Sequence, residues 1–349
     1  LIIVTGGTGF LGSHICVSLL EQGYSVLILD SFINSSPKTI DKIREIKSYS
    51  NKFINTDIKV IRCDLRDNEL LKKIFSRYSR NNQKIEAVIH LAGLKAVNES
   101  IIEPIKYWEN NVSGSINLLK TMDIFGCRNI VFSSSATIYG YQKNKSPINE
   151  NAEIKPINTY GKTKEVIENI LESLSFSTGK VWKIAILRYF NPIGAHKTGL
   201  IGENPNLIPT NIIPIINEVA LRKREYLEIY GSNWDTIDGT CVRDYIHVMD
   251  LAEGHIKALK YISNKKSELI KVNLGNGKGV SVLNLVKTFQ KINGVEIPFK
   301  FVSRRKGDIP YSVADNSFAK TKINWEPVLD LGTMCRDSWN FAKNLSSLS

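Results

Sequence analysis

A glycine-rich turn between two apolar runs does most to constrain this chain. Leu1 to Thr5 is a short apolar run, Gly6-Gly7-Thr8-Gly9-Phe10-Leu11-Gly12 follows at once, and Ser13 to Gln22 has helical spacing ended by Gly23. Ser25 to Leu29 is a second apolar run, closed by Asp30. Strand, glycine turn, helix, strand and acid follow in that order. Gly7, Gly9 and Gly12 have the G-x-G-x-x-G spacing of a dinucleotide fingerprint, and Gly6, Gly9 and Gly12 its wider variant. Glycine lets the backbone turn tightly and approach a pyrophosphate, while the helix N terminus offers free N–H groups and partial positive charge. At the end of the second strand the Asp30 carboxylate can accept from both ribose hydroxyls of NAD and would repel the extra phosphate of NADP. The expected cofactor is NAD.

The alternation continues. Ile58 to Arg62 reads as a strand ending at Cys63-Asp64-Leu65, and Asn68 to Arg77 as a helix with Leu70, Leu71, Ile74 and Phe75 on one face. Ala87 to Leu91 reads as a buried strand ending at Ala92-Gly93, Ile101 to Phe125 as largely helical, and Asn129 to Phe132 as a strand running into Ser133-Ser134-Ser135. Strands alternating with helices predict an α/β fold with a doubly wound parallel sheet. Ligands bind at the carboxyl ends of such strands, where Gly7, Asp30, Asp64, Gly93 and Ser135 all fall. Ser31 to Thr56 is polar and reads as loop and short helix; Asn191 to Pro214, rich in Gly, Pro and Asn, marks a crossing into a second lobe. The expected division is a Rossmann-like nucleotide domain over 1–190, to which the chain returns around 241–260, and a smaller C-terminal substrate-binding lobe over 191–349.

Tyr160-Gly161-Lys162-Thr163-Lys164 carries the chemistry. On a helix, Tyr160 and Lys164 sit one turn apart on the same face. A free tyrosine has a pKa of about 10, so bringing it to about 7 needs roughly 4 kcal/mol of preference for the phenolate. One cation at about 4 Å contributes on the order of 4 kcal/mol at an effective dielectric of about 20. The pair reads as an acid/base centre that takes a proton from an alcohol during oxidation.

Other functions are disfavoured. The net charge of +12 invites a nucleic-acid partner, but the lysines are spread along the chain among Glu and Asp, and none is expected. Cys16, Cys63, Cys127, Cys241 and Cys335 are scattered without C-x-x-C spacing, which suits a reducing cytoplasm rather than disulfides or zinc. His14, His90, His196, His247 and His255 lack ligand spacing, so no metal is assigned. No run of eighteen apolar residues implies a membrane span.

The blocks T-G-G-T-G-F-L-G-S-H, H-L-A-G-L-K-A-V, F-S-S-S-A-T-I-Y-G, Y-G-K-T-K, L-R-Y-F-N-P-I-G-A-H and V-R-D-Y-I-H-V-M-D-L-A resemble the extended short-chain dehydrogenase/reductases, and within them the branch that inverts C4 of UDP-hexoses. The resemblance runs from residue 1 to roughly residue 341. It implies a permanently held NAD, a UDP-hexose substrate, a 4-keto intermediate and a homodimer formed through paired helices of the nucleotide lobe. It makes Tyr160 the base, Lys164 its lysine and a ligand of the nicotinamide ribose, and Ser135 the hydroxyl partner at the sugar O4, with Thr137 assisting. It places NAD against Gly6, Gly9, Phe10, Leu11, Asp30, Asn34, Asp64, Leu65, Leu91, Ala92, Gly93, Lys95, Asn110, Ser135, Tyr160, Lys164, Tyr189 and Phe190. It places the UDP-sugar against Ser135, Thr137, Tyr160, Asn191, Asn211, Ile212, Arg243, Arg305, Asp308 and Ser312. Arg243 and Arg305 suit a diphosphate because guanidinium forks bind it bidentately.

Related dehydratases carry an Asp-Glu pair after the serine of S-x-x-x-Y-G, whereas Ser135 is followed here by Ala136, Thr137 and Ile138. Dehydration is disfavoured. In relatives restricted to the plain hexoses the position of Ser312 resembles a tyrosine, so a small residue there predicts room for the acetamido group of UDP-GlcNAc and UDP-GalNAc. Tyr311 is adjacent, and a shift of one residue would restore the ring. Alternative readings are another NAD-dependent sugar-nucleotide enzyme, a dehydratase or decarboxylase, and a non-catalytic NAD sensor or nucleic-acid-binding protein on the same fold.

Overall fold

A computed structural model describes residues 1–49, 56–80, 84–143, 146–206, 209–305 and 307–347. The first half alternates strand and helix: β1 (Ile2–Thr5), α1 (Phe10–Glu21), β2 (Val26–Asp30), α2 (Thr39–Ser48), β3 (Ile58–Arg62), α3 (Asn68–Arg80) and β4 (Ala87–His90). Next come α4 (Val97–Ile102), α5 (Pro104–Tyr107), a π-helical turn (Trp108–Ser113), α6 (Gly114–Ile124), β5 (Asn129–Ser135), a short 3₁₀ turn (Ala136–Tyr139), α7 (Thr159–Ser175) and β6 (Lys183–Tyr189). The strands pair in parallel, in the order β3-β2-β1-β4-β5-β6, with one later strand beyond β6. The order reverses between β1 and β4, which opens a crevice at their carboxyl ends.

Side chains alternate through the sheet. Ile2, Val4, Val26 and Ile28 face one hydrophobic core, while Ile3, Leu27 and Leu29 face the other. The first core is closed by Ile15 and Leu19 of α1 and by Ile40 and Ile43 of α2; the second by Phe75 of α3, Leu118 of α6 and Leu171 of α7. Strands covered on both faces lose the polar alternation of an open sheet, which is why they read as continuous apolar runs.

After β6 come β7 (Asn191–Ile193), α8 (Ile212–Ala220), β8 (Leu227–Tyr230), β9 (Val242–His247), α9 (Val248–Ser263) and β10 (Glu268–Leu274). The chain ends with β11 (Gly279–Ser281), α10 (Val282–Asn293), β12 (Phe299–Val302), β13 (Tyr311–Ser312), α11 (Ser317–Ile323) and α12 (Leu331–Ser347). β9 pairs with β7, β11 and β13 in a small separate sheet. A third core, with Ile216, Phe289 and Met334, underlies this second region.

Three segments differ in detail from the sequence reading. The chain comes back onto the nucleotide domain with α9, whose Leu251, Ile256 and Leu259 cover the main sheet, while its strand in that sheet is the later β10 and β9 belongs to the small sheet. Ile101 to Phe125 is largely helical, as expected, but in pieces, because Pro104 lacks an N–H and starts a new helix, and a π turn follows. β5 runs through the three serines to Ser135 instead of stopping at Phe132. Within the polar stretch after β2 a helix forms at Thr39–Ser48, and positions 50–55 lie outside the described residues. Among the described residues, no helix is long and apolar enough to cross a membrane, no group of His, Cys, Asp and Glu is arranged to hold a metal ion, and all five cysteines are buried thiols.

Candidate active site

The loops after β1, β2, β3 and β4 open into a cavity of about 910 Å³. Gly6 adopts a φ of +70°, and a Cβ there would lie 3.0 Å from the Ala92 backbone nitrogen, so the loops after β1 and β4 touch across the switch point. A Cβ at Gly12 would overlap the Gly6 carbonyl oxygen. Gly9 caps α1 without a side-chain hydrogen bond, which leaves the helix N terminus facing the cavity.

Asp30 is buried and strongly oriented. Its Oδ2 accepts from the Thr8 amide (3.0 Å) and hydroxyl (2.6 Å), and its Oδ1 accepts from the Phe32 amide and the Ser35 hydroxyl, each at 2.9 Å. Two of these donors are hydroxyls able to rotate, so the acceptor can be shared with an incoming diol. Asp64 lines the cavity and pairs with Arg66 at 2.7 Å, which holds its carboxyl below the usual range.

β5 and α7 supply the reactive groups. α7 starts where the Asn158 side chain accepts from the Gly161 amide at 2.8 Å, an N-cap that sets the first turn. Tyr160 and Lys164 then line the cavity one turn apart. Lys164 is buried and donates to the Ser133 carbonyl at 2.7 Å; its Nζ lies 5.9 Å from the centre of the Tyr160 ring. Ser135 accepts from the Thr137 hydroxyl at 2.6 Å and stands beside the Tyr160 phenol, favouring its ionised form. Burial pushes Tyr160 up to about 12, with the Ser135 contact pulling the other way. Burial brings Lys164 down to about 8, opposed by the charge of Glu168. Burial thus works against the lowering of Tyr160 expected from Lys164.

The cavity gathers Gly6, Gly9, Phe10, Leu11, Asp30, Asn34, Asp64, Leu65, Leu91, Ala92, Gly93, Lys95, Asn110, Tyr160, Lys164, Tyr189 and Asn211. Phe190 is placed elsewhere, buried among Ile138, Tyr139, Ile148 and Ala314. Ser135 and Thr137 are half-buried, with Ser135 beside the Tyr160 phenol and Thr137 bonded to Ser135. Arg243 and Asp308 form a second group: Arg243 donates to the Ile309 carbonyl at 2.8 Å and lies 3.8 Å from the Asp308 carboxylate. Arg305 stacks 4.1 Å over the Tyr230 ring. Ser312 is buried on β13 and registers with Arg243, whereas Tyr311 registers with Val242. Asn191 is exposed at the start of β7, and Ile212 begins α8 against the third core.

Sequence reading missed three residues. The Asn111 carboxamide accepts from the Leu94 amide at 2.8 Å and donates to the Leu94 carbonyl (3.0 Å) and to Thr163 (3.1 Å), tying the loop after β4 to α7. It can do so because it lies in the π turn, which a continuous-helix reading hides. Glu203 accepts from Lys95 at 2.9 Å and from Asn211 at 2.5 Å, joining the two lobes at the cavity. Glu168, with its spacing from Lys164, was the one with a visible signal. His90 is structural: Thr5 and Ser115 hold its two nitrogens at 2.8 Å each, and burial lowers it to about 3.

Residues 3–338 match the GDP-mannose 4,6 dehydratase family. A UDP-glucose 4-epimerase of Bacillus subtilis is 46% identical over 97% of this chain and 96% of its own length; one of Pasteurella multocida is 46% identical over 98% and 97%. A crystal structure of the Stenotrophomonas maltophila UDP-glucose-4-epimerase with NAD and formylated UDP-arabinopyranose superposes with a TM-score of 0.93 at 41% identity, covering 100% of this chain and 99% of that one. The Bifidobacterium longum enzyme in complex with NAD+ and UDP gives 0.90 at 40% identity, with 98% of each chain covered. Fold, cavity and these likenesses agree, and the chain belongs to the UDP-glucose 4-epimerase family of extended short-chain dehydrogenase/reductases.

Proposed function

We propose that this chain interconverts UDP-glucose and UDP-galactose by inverting C4 through a 4-keto sugar, with NAD as its resident cofactor. The observation that carries the reading is the convergence of Tyr160, Lys164 and the glycine turn on one cavity. The residues fit NAD: the Gly12 cradle has no room for a side chain, and Asp30 presents both carboxylate oxygens at the end of β2. NAD supplies the oxidant that removes hydrogen from C4 and the reductant that restores it to the opposite face. Tyr160 takes the O4 proton as the carbonyl forms and returns it afterwards. Ser135 shares a hydrogen bond with the phenol and hands the proton between it and the sugar. Lys164, fixed by Ser133, offers positive charge to the phenolate. Arg243 and Arg305 hold the diphosphate, and Asp308 accepts from the uridine ribose. Incubating purified protein with UDP-galactose, without added NAD, is expected to yield UDP-glucose; no conversion in protein that carries NAD would sink the reading. Dehydration finds no support, because the 3₁₀ turn after Ser135 has no acid in its first turn.

The register of β13 bears on sugar choice. Neighbouring strand residues face opposite sides, so Ser312, beside Arg243, and Tyr311 do not exchange places. We propose that UDP-GlcNAc and UDP-GalNAc are also substrates. Turnover of UDP-GlcNAc should exceed about one-hundredth of that of UDP-glucose, and Ser312→Tyr should cut it by about 100-fold while sparing the plain sugar. Equal loss on both sugars would refute the assignment.

We also propose a homodimer through α4 and α5. Ile101, Ile102 and Ile105 there are 50%, 76% and 67% exposed, an apolar cluster that a second copy would cover. Sedimentation is expected to give twice the monomer mass, and Ile102→Asp with Ile105→Asp to give the monomer. A monomeric wild type refutes this.

A further inference from the structure

The three serines ending β5 meet α7 at three successive levels. Ser135 stands beside the Tyr160 phenol. The Ser133 carbonyl accepts from Lys164 at 2.7 Å. The Ser134 hydroxyl donates to Glu168 Oε1 at 2.5 Å. Tyr160, Lys164 and Glu168 are four residues apart and share one helix face.

Glu168 is 2% exposed, and its partner on β6, Arg188, is 1% exposed. Arg188 meets it through Nε (3.1 and 3.2 Å) and Nη2 (2.7 Å), and spends Nη1 on the Tyr139 hydroxyl and the Glu150 carbonyl. A pair this dry is poor evidence for stability, because desolvation cancels much of the attraction. What it does provide is a carboxylate fixed one turn from a buried ammonium.

We propose that Glu168 is a positioning residue for the reaction, acting through Lys164: it keeps that amine charged and seated on Ser133, facing Tyr160. The inference rests on the epimerase reading and adds a role to a buried residue outside the cavity lining.

The surroundings of Lys164 support this. β5 presents the Phe132 ring, 4.8 Å away, and the Ser133 carbonyl. β4 presents His90, which burial keeps neutral. β6 presents Tyr189, kept protonated by burial, and Arg188, whose charge Glu168 offsets. α7 presents Tyr160 and Glu168. Of these, Glu168 alone raises Lys164 against the burial that lowers it.

Removing Glu168 alone strands the Arg188 charge and threatens folding. The test therefore uses Glu168→Gln with Arg188→Met, which removes both charges at similar volume, and Glu168→Asp, which keeps the charge. Two readouts are taken on the holoenzyme: turnover against pH, and titration of the Lys164 ε-carbon by NMR, assigned by its loss in Lys164→Met. In the double variant, the alkaline limb of turnover and the Lys164 titration should both fall by about one pH unit, with activity recovering toward lower pH. In Glu168→Asp both should stay within a few tenths of a unit of wild type. A folded double variant whose Lys164 titration does not move, or whose rate falls equally at every pH, overturns the proposal. Absent wild-type turnover would refute the reaction and the proposal with it; the Lys164 titration, which needs no turnover, tells that failure from the others.

Discussion

Tyr160→Phe is expected to lower turnover of UDP-galactose by about 10²–10⁴-fold, with NAD and UDP still bound. The substitution removes one oxygen and keeps the ring, so the cavity wall that Tyr160 forms stays in place. What disappears is the group proposed to accept the O4 proton. Ser135 cannot replace it, since a serine hydroxyl has no charged state near neutral pH and here already accepts from Thr137. Binding of UDP by calorimetry and the absorbance of co-purified NAD should match wild type. A variant keeping more than about a tenth of the wild-type rate would show that another group moves the proton. The pH response follows from the same geometry. Burial holds the free phenol near 12, so turnover at neutral pH depends on positive charge beside it, from Lys164 and from the oxidised nicotinamide ring. Lys164 itself loses charge above about 8, which places the alkaline limb there.

Gly12→Ala is expected to abolish NAD retention and to lower unfolding free energy by about 2–3 kcal/mol. The added methyl meets the Gly6 carbonyl oxygen and the Gly7 Cα, both backbone atoms that no rotamer change can move aside. Relief requires opening the turn, and with it the contact between Gly6 and the Ala92 backbone. Protein purified without NAD and denatured at lower urea is the expected result. By contrast Gly23→Ala, at a turn where a Cβ meets nothing within 4 Å, should keep its NAD, although its φ of +84° costs some stability. Retention of NAD by Gly12→Ala would mean the turn does not cradle the cofactor.

The two substitutions also mark what could be read from sequence. The glycine turn, Asp30 and the Tyr160–Lys164 pair are local: each declares itself within a few residues, and buried parallel strands betray themselves as apolar runs. The protonation of Tyr160 was not local. It depends on how deeply α7 is buried, and burial works against the expected direction. Asn111 and Glu203 stayed hidden because a key partner of each lies far along the chain, Thr163 for Asn111 and Lys95 for Glu203. β10 was missed because Glu268 and Lys271 interrupt its apolar pattern, and β9 belongs to the smaller sheet. Phe190 neighbours a cavity residue, but strand alternation turns it into a different cluster.

The cavity wall has one late contributor. Phe341, Asn344 and Leu345 of α12 close it beside Gly199 and Leu200, and the Asn344 amide reaches the Gly199 carbonyl at 3.3 Å. A nascent polypeptide can fold its first strands around a dinucleotide during translation, yet it lacks this wall until residues 331–347 have emerged from the ribosome. Durable capture of the coenzyme is thus expected to wait for this helix, and cutting the chain before Phe341, which spares Met334 in the third core, should yield a leaky holoenzyme rather than an unfolded one.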